Sequence, residues 1–341
     1  MKAMVLNGIS HLEHNVNPLH LVEIPIPEPK HDEVLIRVKA CGVCHTDLDE
    51  IEGRVVPSFY PIIPGHQVIG EVVKKGDKVT KHSIGERIGV GWFFSSCKKC
   101  SNCLEGCENL CSFFKGTGQD ANGGYAEFMC VPEDSAFKIP EKFTDEEAAP
   151  LLCGGSVGYR ALKLTGMREG KILGLTGFGG SGHQVLKISK FLYPSSKVYV
   201  FARSEKSQML ALSLGADWAG DTSSVPPDQL DCIIDTTPAW KPVIKALSFL
   251  KPGGRLVINA ISKENSDKEY LLNLNYQEHL WQEKEIKTVA NVTKKDIEEF
   301  LQISGQMDFK PVTRTYPLEE ANIALNELKR GKALGTLVLM C

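Results

Sequence analysis

Four of the chain's eleven cysteines stand at Cys97, Cys100, Cys103 and Cys111, a C-x2-C-x2-C-x7-C run. Thiolates at that spacing can wrap one tetrahedral ion from a short looping segment. Zinc suits such a set because it is redox-inert, accepts sulfur and fills all four positions in structural sites. Closed sites of this kind give apparent free energies of ~10–16 kcal/mol in small zinc peptides, enough to order a loop with little core. Cys107 lies midway between Cys103 and Cys111 and could substitute as a ligand, but a ligand there would leave Cys111 without a role. The lobe at about 97–111 is therefore read as a structural zinc site, which supports stability rather than chemistry.

A catalytic zinc takes three protein ligands and keeps a position open for water or substrate. Its ligands must come from isolated Cys, His and acidic residues near turns. Cys44-His45-Thr46-Asp47 follows an apolar run, Pro64-Gly65-His66-Gln67 precedes another, and Cys153 lies in Leu151-Leu152-Cys153-Gly154-Gly155. Taken singly, each has a plainer reading, since a lone cysteine serves as a small hydrophobe and a lone histidine as a structural or surface residue.

A third constellation is glycine-rich. Gly177, Gly179 and Gly182 form G-x-G-x-x-G directly after the apolar run Lys171 to Leu175, and Gly180 and Ser181 open a helical pattern. In that context the pattern is a dinucleotide fingerprint: Gly177 for the tight turn, Gly179 for close approach to the pyrophosphate, Gly182 for helix–strand contact. The helix N-terminus would face the phosphates with unpaired N–H groups. An NAD site carries an acid ~20 residues further on. Here the count reaches Ala202, followed by Arg203 and Ser204. A carboxylate would repel a 2′-phosphate, whereas Arg203 can pair with it and Ser204 can hydrogen-bond it. NADP(H) is expected over NAD(H), with Asn259, Ala260 and Ile261 completing the cofactor-binding set.

These residues need two kinds of scaffold. Up to about Pro150, short apolar runs such as Val34 to Val38 and Val68 to Val73 are punctuated by Gly and Pro turns, which predicts a β-rich, loop-rich domain. Beyond it, strand-like and helix-like stretches alternate: Ser181 to Phe191, Lys197 to Phe201, Ser207 to Leu214, Asp231 to Asp235, Trp240 to Leu250, Arg255 to Asn259. That rhythm predicts an α/β doubly wound parallel sheet. Helical patterns at Lys295 to Ile303 and Leu318 to Lys329 and an apolar strand, Thr336 to Met340, close the chain. The 341 residues fit two domains.

A net charge of −3 argues against a nucleic-acid partner. The 42% hydrophobic and 24% charged residues are those of a globular protein. No apolar run approaches the ~18 residues needed to span a bilayer. With no secretory signal and an odd cysteine count, a reducing, cytoplasmic setting is expected, with metal ligation rather than disulfides.

Gly42-Val43-Cys44-His45-Thr46-Asp47, Pro64-Gly65-His66, the four-cysteine lobe, Gly123-Gly124-Tyr125-Ala126-Glu127, Ala149 to Cys153 and the glycine turn stand here together and in order. In this the chain resembles the zinc-containing medium-chain alcohol dehydrogenases from about Ala3 to its end. The resemblance implies a GroES-like catalytic domain over 1–153 and 290–341 and a Rossmann cofactor domain over 154–289. It implies two zinc ions per chain, with Cys44, His66 and Cys153 holding the catalytic one. Asp47 would orient His66 and Thr46 would take the alcohol proton. His45 would face the pyrophosphate, and Trp92 and Phe93 would line the pocket. The reaction implied interconverts alcohols and aldehydes or ketones by hydride transfer, in a homodimer or homotetramer with a small-molecule substrate.

Three positions depart from the family pattern. Gln67 replaces the usual Glu, Asp49 stands where a relay His is common and is the catalytic candidate for relaying the proton from Thr46, and Gly335-Thr336 occupies the place of a pyrophosphate-binding Arg. Alternatives are a polyol or threonine-type dehydrogenase of the same fold, or a catalytically silent zinc-stabilised structural or regulatory protein.

Overall fold

The structure, a computed structural model, describes every residue except Lys332 and Leu334. The described residues form two compact units, Met1–Ser156 with Asn291–Cys341, and Val157–Ala290. In the first, an antiparallel ribbon of β1 (Lys2–Leu6) and β2 (Leu19–Glu23) precedes the long strand β3 (Glu33–Val43) and helix α1 (His45–Ile51). There follow β4 (Val68–Lys75), β5 (Arg87–Val90), β6 (Phe93–Ser95), the one-turn helix α2 (Ser101–Leu104), β7 (Lys115–Gly116), β8 (Phe128–Pro132) and β9 (Ala136–Lys138). Helix α3 (Asp145–Ala148) begins with a capping box in which Thr144 and Glu147 satisfy each other's backbone N–H groups. The chain leaves this unit within α4 (Gly154–Thr165).

The second unit alternates as its sequence rhythm predicts: β10 (Ile172–Thr176), α5 (Gly180–Leu192), β11 (Lys197–Phe201), α6 (Glu205–Ser213), β12 (Trp218–Gly220), β13 (Leu230–Asp235), α7 (Lys241–Ser248), β14 (Leu250–Ile258) and β15 (Glu285–Thr288). Every pairing in its six-stranded sheet is parallel, in the order β12-β11-β10-β13-β14-β15. β10, β11 and β13 are almost wholly buried, as strands covered by helices on both faces must be. The order reverses between β10 and β13, the switch point at which such sheets bind ligands beyond their strand ends.

The chain then returns to the first unit with α8 (Lys294–Gln306), β16 (Thr313–Pro317), α9 (Ala321–Lys329) and β17 (Thr336–Met340). β17 pairs with β3, which also pairs with β4 and β8. Three partners explain why the strand expected over Val34 to Val38 runs on to Val43. Likewise Arg255 to Asn259 belongs to a longer strand, because Leu250 already pairs with Leu230. The helix expected from Leu318 opens as a 3-10 turn, Leu318–Glu320, before α9. The fold class is the expected one, an α/β chain with a GroES-like β-rich part and a Rossmann sheet. No helix among the described residues is long and apolar enough to cross a membrane.

Candidate metal and cofactor sites

The buried end of β3 delivers the chain into α1, and this junction builds one site. Cys44 is the N-cap residue; its backbone N–H donates to Asp47 Oδ2 at 2.7 Å, closing the first turn. The same oxygen accepts from the Tyr125 hydroxyl at 3.1 Å, while Asp47 Oδ1 lies 3.1 Å from His66 Nδ1, both side chains fully buried. His66 comes from the loop before β4 and Cys153 from the turn before α4. Ligand atoms of Cys44, His66 and Cys153 all lie within 4.8 Å of one another.

The donor chemistry fits zinc. Bonds of about 2.3 Å at a tetrahedral angle separate two sulfurs by about 3.8 Å, and Cys44 Sγ and Cys153 Sγ are 3.9 Å apart. His66 Nε2 is buried with no hydrogen-bond partner among the described residues, an expensive state unless a ligand satisfies it. The hydrogen bond with Cys153 pulls the Cys44 thiol well below its ordinary range and pushes Cys153 well above it. Burial alone would lower His66, but Asp47 and Cys44 hold it well above the usual value. A cation bound here would displace the protons that these groups hold.

Around the trio, Thr46 Oγ1 lies 3.8 Å from Cys44 Sγ, and His45 is exposed. Asp49 is mostly buried and paired with Arg54 Nε; burial raises its carboxyl, against the pull of Arg54. Gln67 is buried, and a Cβ on Gly42 would strike its side chain at 2.7 Å. Phe93 is buried edge-on against Phe114, while half-buried Trp92 donates from Nε1 to Glu50 Oε1 at 3.1 Å.

Glu50 escaped the sequence reading. It lies three residues beyond Asp47 on α1, so both carboxylates share a helix face. Asp47, Glu50 and His66 bring their polar atoms within 4.8 Å of one another. Glu50 Oε2 is buried without a partner among the described residues. That i, i+3 spacing was the available signal, but an acidic helix face ordinarily points to solvent.

The four sulfurs of Cys97, Cys100, Cys103 and Cys111 likewise lie within 4.8 Å of one another, and Cys107 is outside the group. Cys103 Sγ is 3.8 Å from Cys97 Sγ and 3.5 Å from Cys100 Sγ. Backbone N–H groups aim at sulfur: Cys100 N at Cys97 Sγ (3.4 Å), Cys97 N and Phe113 N at Cys111 Sγ (3.5 and 3.3 Å). Bonds from the Lys99 and Cys100 backbone lower the Cys97 thiol to about 6. Lys98 takes the left-handed conformation (φ 59°) that turns the chain between Cys97 and Cys100, and its Nζ is 2.6 Å from Asp134. This donor set also fits zinc.

In the second unit, Gly177 has φ 82°, and a Cβ there would strike Thr236 Oγ1 at 2.7 Å. One on Gly182 would meet the Gly177 carbonyl at 2.9 Å; one on Gly179 would meet nothing within 4 Å, leaving open space before the turn. Helix α5 starts at Gly180 and Ser181 with no side-chain cap and no acid in its first turn. Its free N–H groups and open approach suit a dinucleotide diphosphate. At the end of β11, Arg203 is exposed and makes no ion pair among the described residues. Ser204 caps α6, accepting from Ser207 N at 3.2 Å. Asn259, Ala260 and Ile261 lie just past β14, with Asn259 N donating to the Asp235 carbonyl at 2.7 Å. Gly335 has φ 76°, and a Cβ would fall 2.1 Å from the Val312 carbonyl, so an arginine cannot stand there without moving the backbone.

Residues 30–141 match the model of the alcohol dehydrogenase GroES-like domain, and residues 214–339 that of the zinc-binding dehydrogenases. The chain is 39% identical to a probable alcohol dehydrogenase of Mycobacterium tuberculosis, over 96% of this chain and 94% of that protein. An alcohol dehydrogenase of Geobacillus stearothermophilus is 33% identical, over 99% and 98% of the two chains. Among solved structures, a cinnamyl alcohol dehydrogenase of Sorghum bicolor superimposes with a TM-score of 0.87 at 27% identity, covering 99% of this chain and 97% of that one. A CAD from Helicobacter pylori, complexed with NADP(H), gives 0.85 at 26% with the same coverage.

Proposed function

This chain belongs to the zinc-containing medium-chain alcohol dehydrogenases, an oxidoreductase family, and from that premise we propose that it interconverts a primary alcohol and its aldehyde with NADP(H) and two zinc ions. The observation that carries the reading is the Cys44, His66 and Cys153 donor set: three ligand atoms from three distant segments within 4.8 Å, one short of a closed tetrahedron. Zinc held there supplies Lewis acidity, and the nicotinamide supplies the hydride acceptor or donor. The Asp47 carboxylate, 3.1 Å from His66 Nδ1, would orient the ring from that side and leave Nε2 for the metal. The Thr46 hydroxyl, two residues beyond Cys44, can accept the alcohol proton and pass its own onward. The Cys97 lobe would hold the second zinc and order its loop.

The unit Val157–Ala290 would bind the dinucleotide at the Gly177–Gly182 turn, with Arg203 pairing the 2′-phosphate and Ser204 presenting its hydroxyl. The relatives named for cinnamyl alcohol, together with Trp92 and Phe114 at 5.5 Å, put aromatic primary alcohols first among candidate substrates. A second copy of the chain would cover the exposed edge strand β15 and the exposed side chains of Leu272 and Trp281, which are 89% and 53% exposed. The test is metal analysis with turnover on a panel of alcohols and aldehydes, each with NAD(H) and NADP(H). Two zinc ions per chain and turnover favouring NADP(H) support the reading. One zinc per chain and no turnover would replace it with a silent zinc-stabilised protein.

A further inference from the structure

Beyond β13 and β14 stands a buried ion pair that the sequence reading did not use. The Lys263 ammonium, its side chain 10% exposed, contacts Asp235 Oδ2 at 2.5 Å and donates to the carbonyls of Thr237 (2.7 Å) and Ala239 (3.0 Å). Asp235 is fully buried, and its Oδ1 accepts from the hydroxyls of Thr176 (2.5 Å) and Thr237 (2.8 Å). All three ammonium protons and both carboxylate oxygens are thus used, the condition under which a buried pair fixes geometry.

What it fixes is the junction of three strand ends. Thr176 ends β10, Asp235 ends β13, and Lys263 rides on the segment after β14. Two contacts reinforce the clamp: Glu264 N donates to the Pro238 carbonyl at 2.8 Å, and Asp267 accepts from Trp240 N and Lys241 N. Asn259, Ala260 and Ile261 lie within the clamped stretch, and Thr236 Oγ1, next to Asp235, sits where a Cβ on Gly177 would strike. These loops flank the switch point of the parallel sheet.

We propose that Lys263 is a latch: by pinning the 259–267 segment onto the ends of β10 and β13, it preorganises the cradle for the dinucleotide. Lys263 is a positioning residue, and the inference rests on the nicotinamide-cofactor reading above. A latch of this kind lowers the ordering cost of binding and leaves the chemical step alone.

Wild type, Lys263→Met, and Lys263→Met with Asp235→Asn test it as full-length proteins, with Lys263→Arg as the control that keeps the charge. The double variant guards against misfolding, since it removes both charges and keeps acceptors for Thr176 and Thr237. Cofactor Kd is measured by protein-fluorescence titration with NADPH and NADH, and opening of the segment by the rate of tryptic cleavage around Lys268. The expected result for both variants is a Kd raised about tenfold, the scale of one lost charge-assisted bond. Cleavage is faster, and kcat at saturating cofactor stays within about twofold of wild type. Lys263→Arg, which keeps the charge, recovers part of the affinity. A double variant that binds cofactor as tightly as wild type overturns the latch. If wild type binds neither dinucleotide, the cofactor reading fails instead, and the cleavage rates still report whether Lys263 holds the segment.

Discussion

The two candidate zinc sites use the same sulfur chemistry and differ in almost everything else. The Cys97–Cys111 lobe draws four donors from fifteen consecutive residues. Its donors are mostly half-exposed, and its own backbone N–H groups point at the sulfurs. The other site draws three donors from segments up to 109 residues apart; its two cysteines are also half-buried, but His66 is buried beside the carboxylates of Asp47 and Glu50. A local loop can close around an ion with little help from the rest of the fold. The dispersed trio exists only after β3, β4 and the turn before α4 have assembled. An ion in the first site should therefore act on stability, and one in the second on chemistry.

The largest effects should come from cutting each set once. Cys103→Ser should lose one zinc per chain and several kcal/mol of stability, since a loop with little core depends on its metal. Cys153→Ser should lose the other zinc and lower turnover by at least about a thousandfold, with a much smaller fall in Tm. Atomic emission analysis and thermal melts on both variants would read this contrast, and equal Tm losses would erase it. Next in size is Asp47→Asn. The carboxylate 3.1 Å from His66 Nδ1 also closes the first turn of α1, so zinc affinity in chelator competition should fall about 10–100-fold while the lobe zinc stays put.

That same contrast governs what the sequence could disclose. The lobe was legible because its spacing is its geometry. The glycine turn was legible because strand, glycines and helix follow one another directly. The Cys44, His66 and Cys153 set could be named only through family resemblance, since no local rule links residues so far apart. The spacing of Asp47 and Glu50 was a weak signal and the Lys263–Asp235 pair gave none, because a charged residue reads as solvated surface until tertiary packing buries it. The parallel sheet followed from its alternation, whereas β12 and β15 were missed as short strands whose pairing depends on their neighbours.

Arg203 sharpens the comparison in the other unit. It carries no ion pair among the described residues, so Arg203→Ala should leave the fold intact and raise the KM for NADPH by about tenfold, with that for NADH nearly unchanged. Equal KM shifts for both cofactors would remove its assignment to the 2′-phosphate.

The smallest effect expected is the most discriminating. Gln67 leaves the trio without the family's neighbouring negative charge, and Glu50 stands within 4.8 Å of His66 on the opposite segment. Burial pushes its carboxyl well above the usual range, with Asp47 adding to the rise and His66 opposing it. A divalent cation at the trio would favour the ionised form, as a nearby positive charge does. Glu50→Gln keeps an acceptor for the Trp92 N–H and removes only the charge, so tryptophan emission should be unchanged. Zinc should then leave the trio a few times faster in chelator competition, with release from the lobe, which has no buried carboxylate among its donors, serving as the internal reference. Unchanged release would mean that Glu50 stays protonated beside the metal. Its role would then reduce to holding Trp92, and the charge lost at Gln67 would have no replacement.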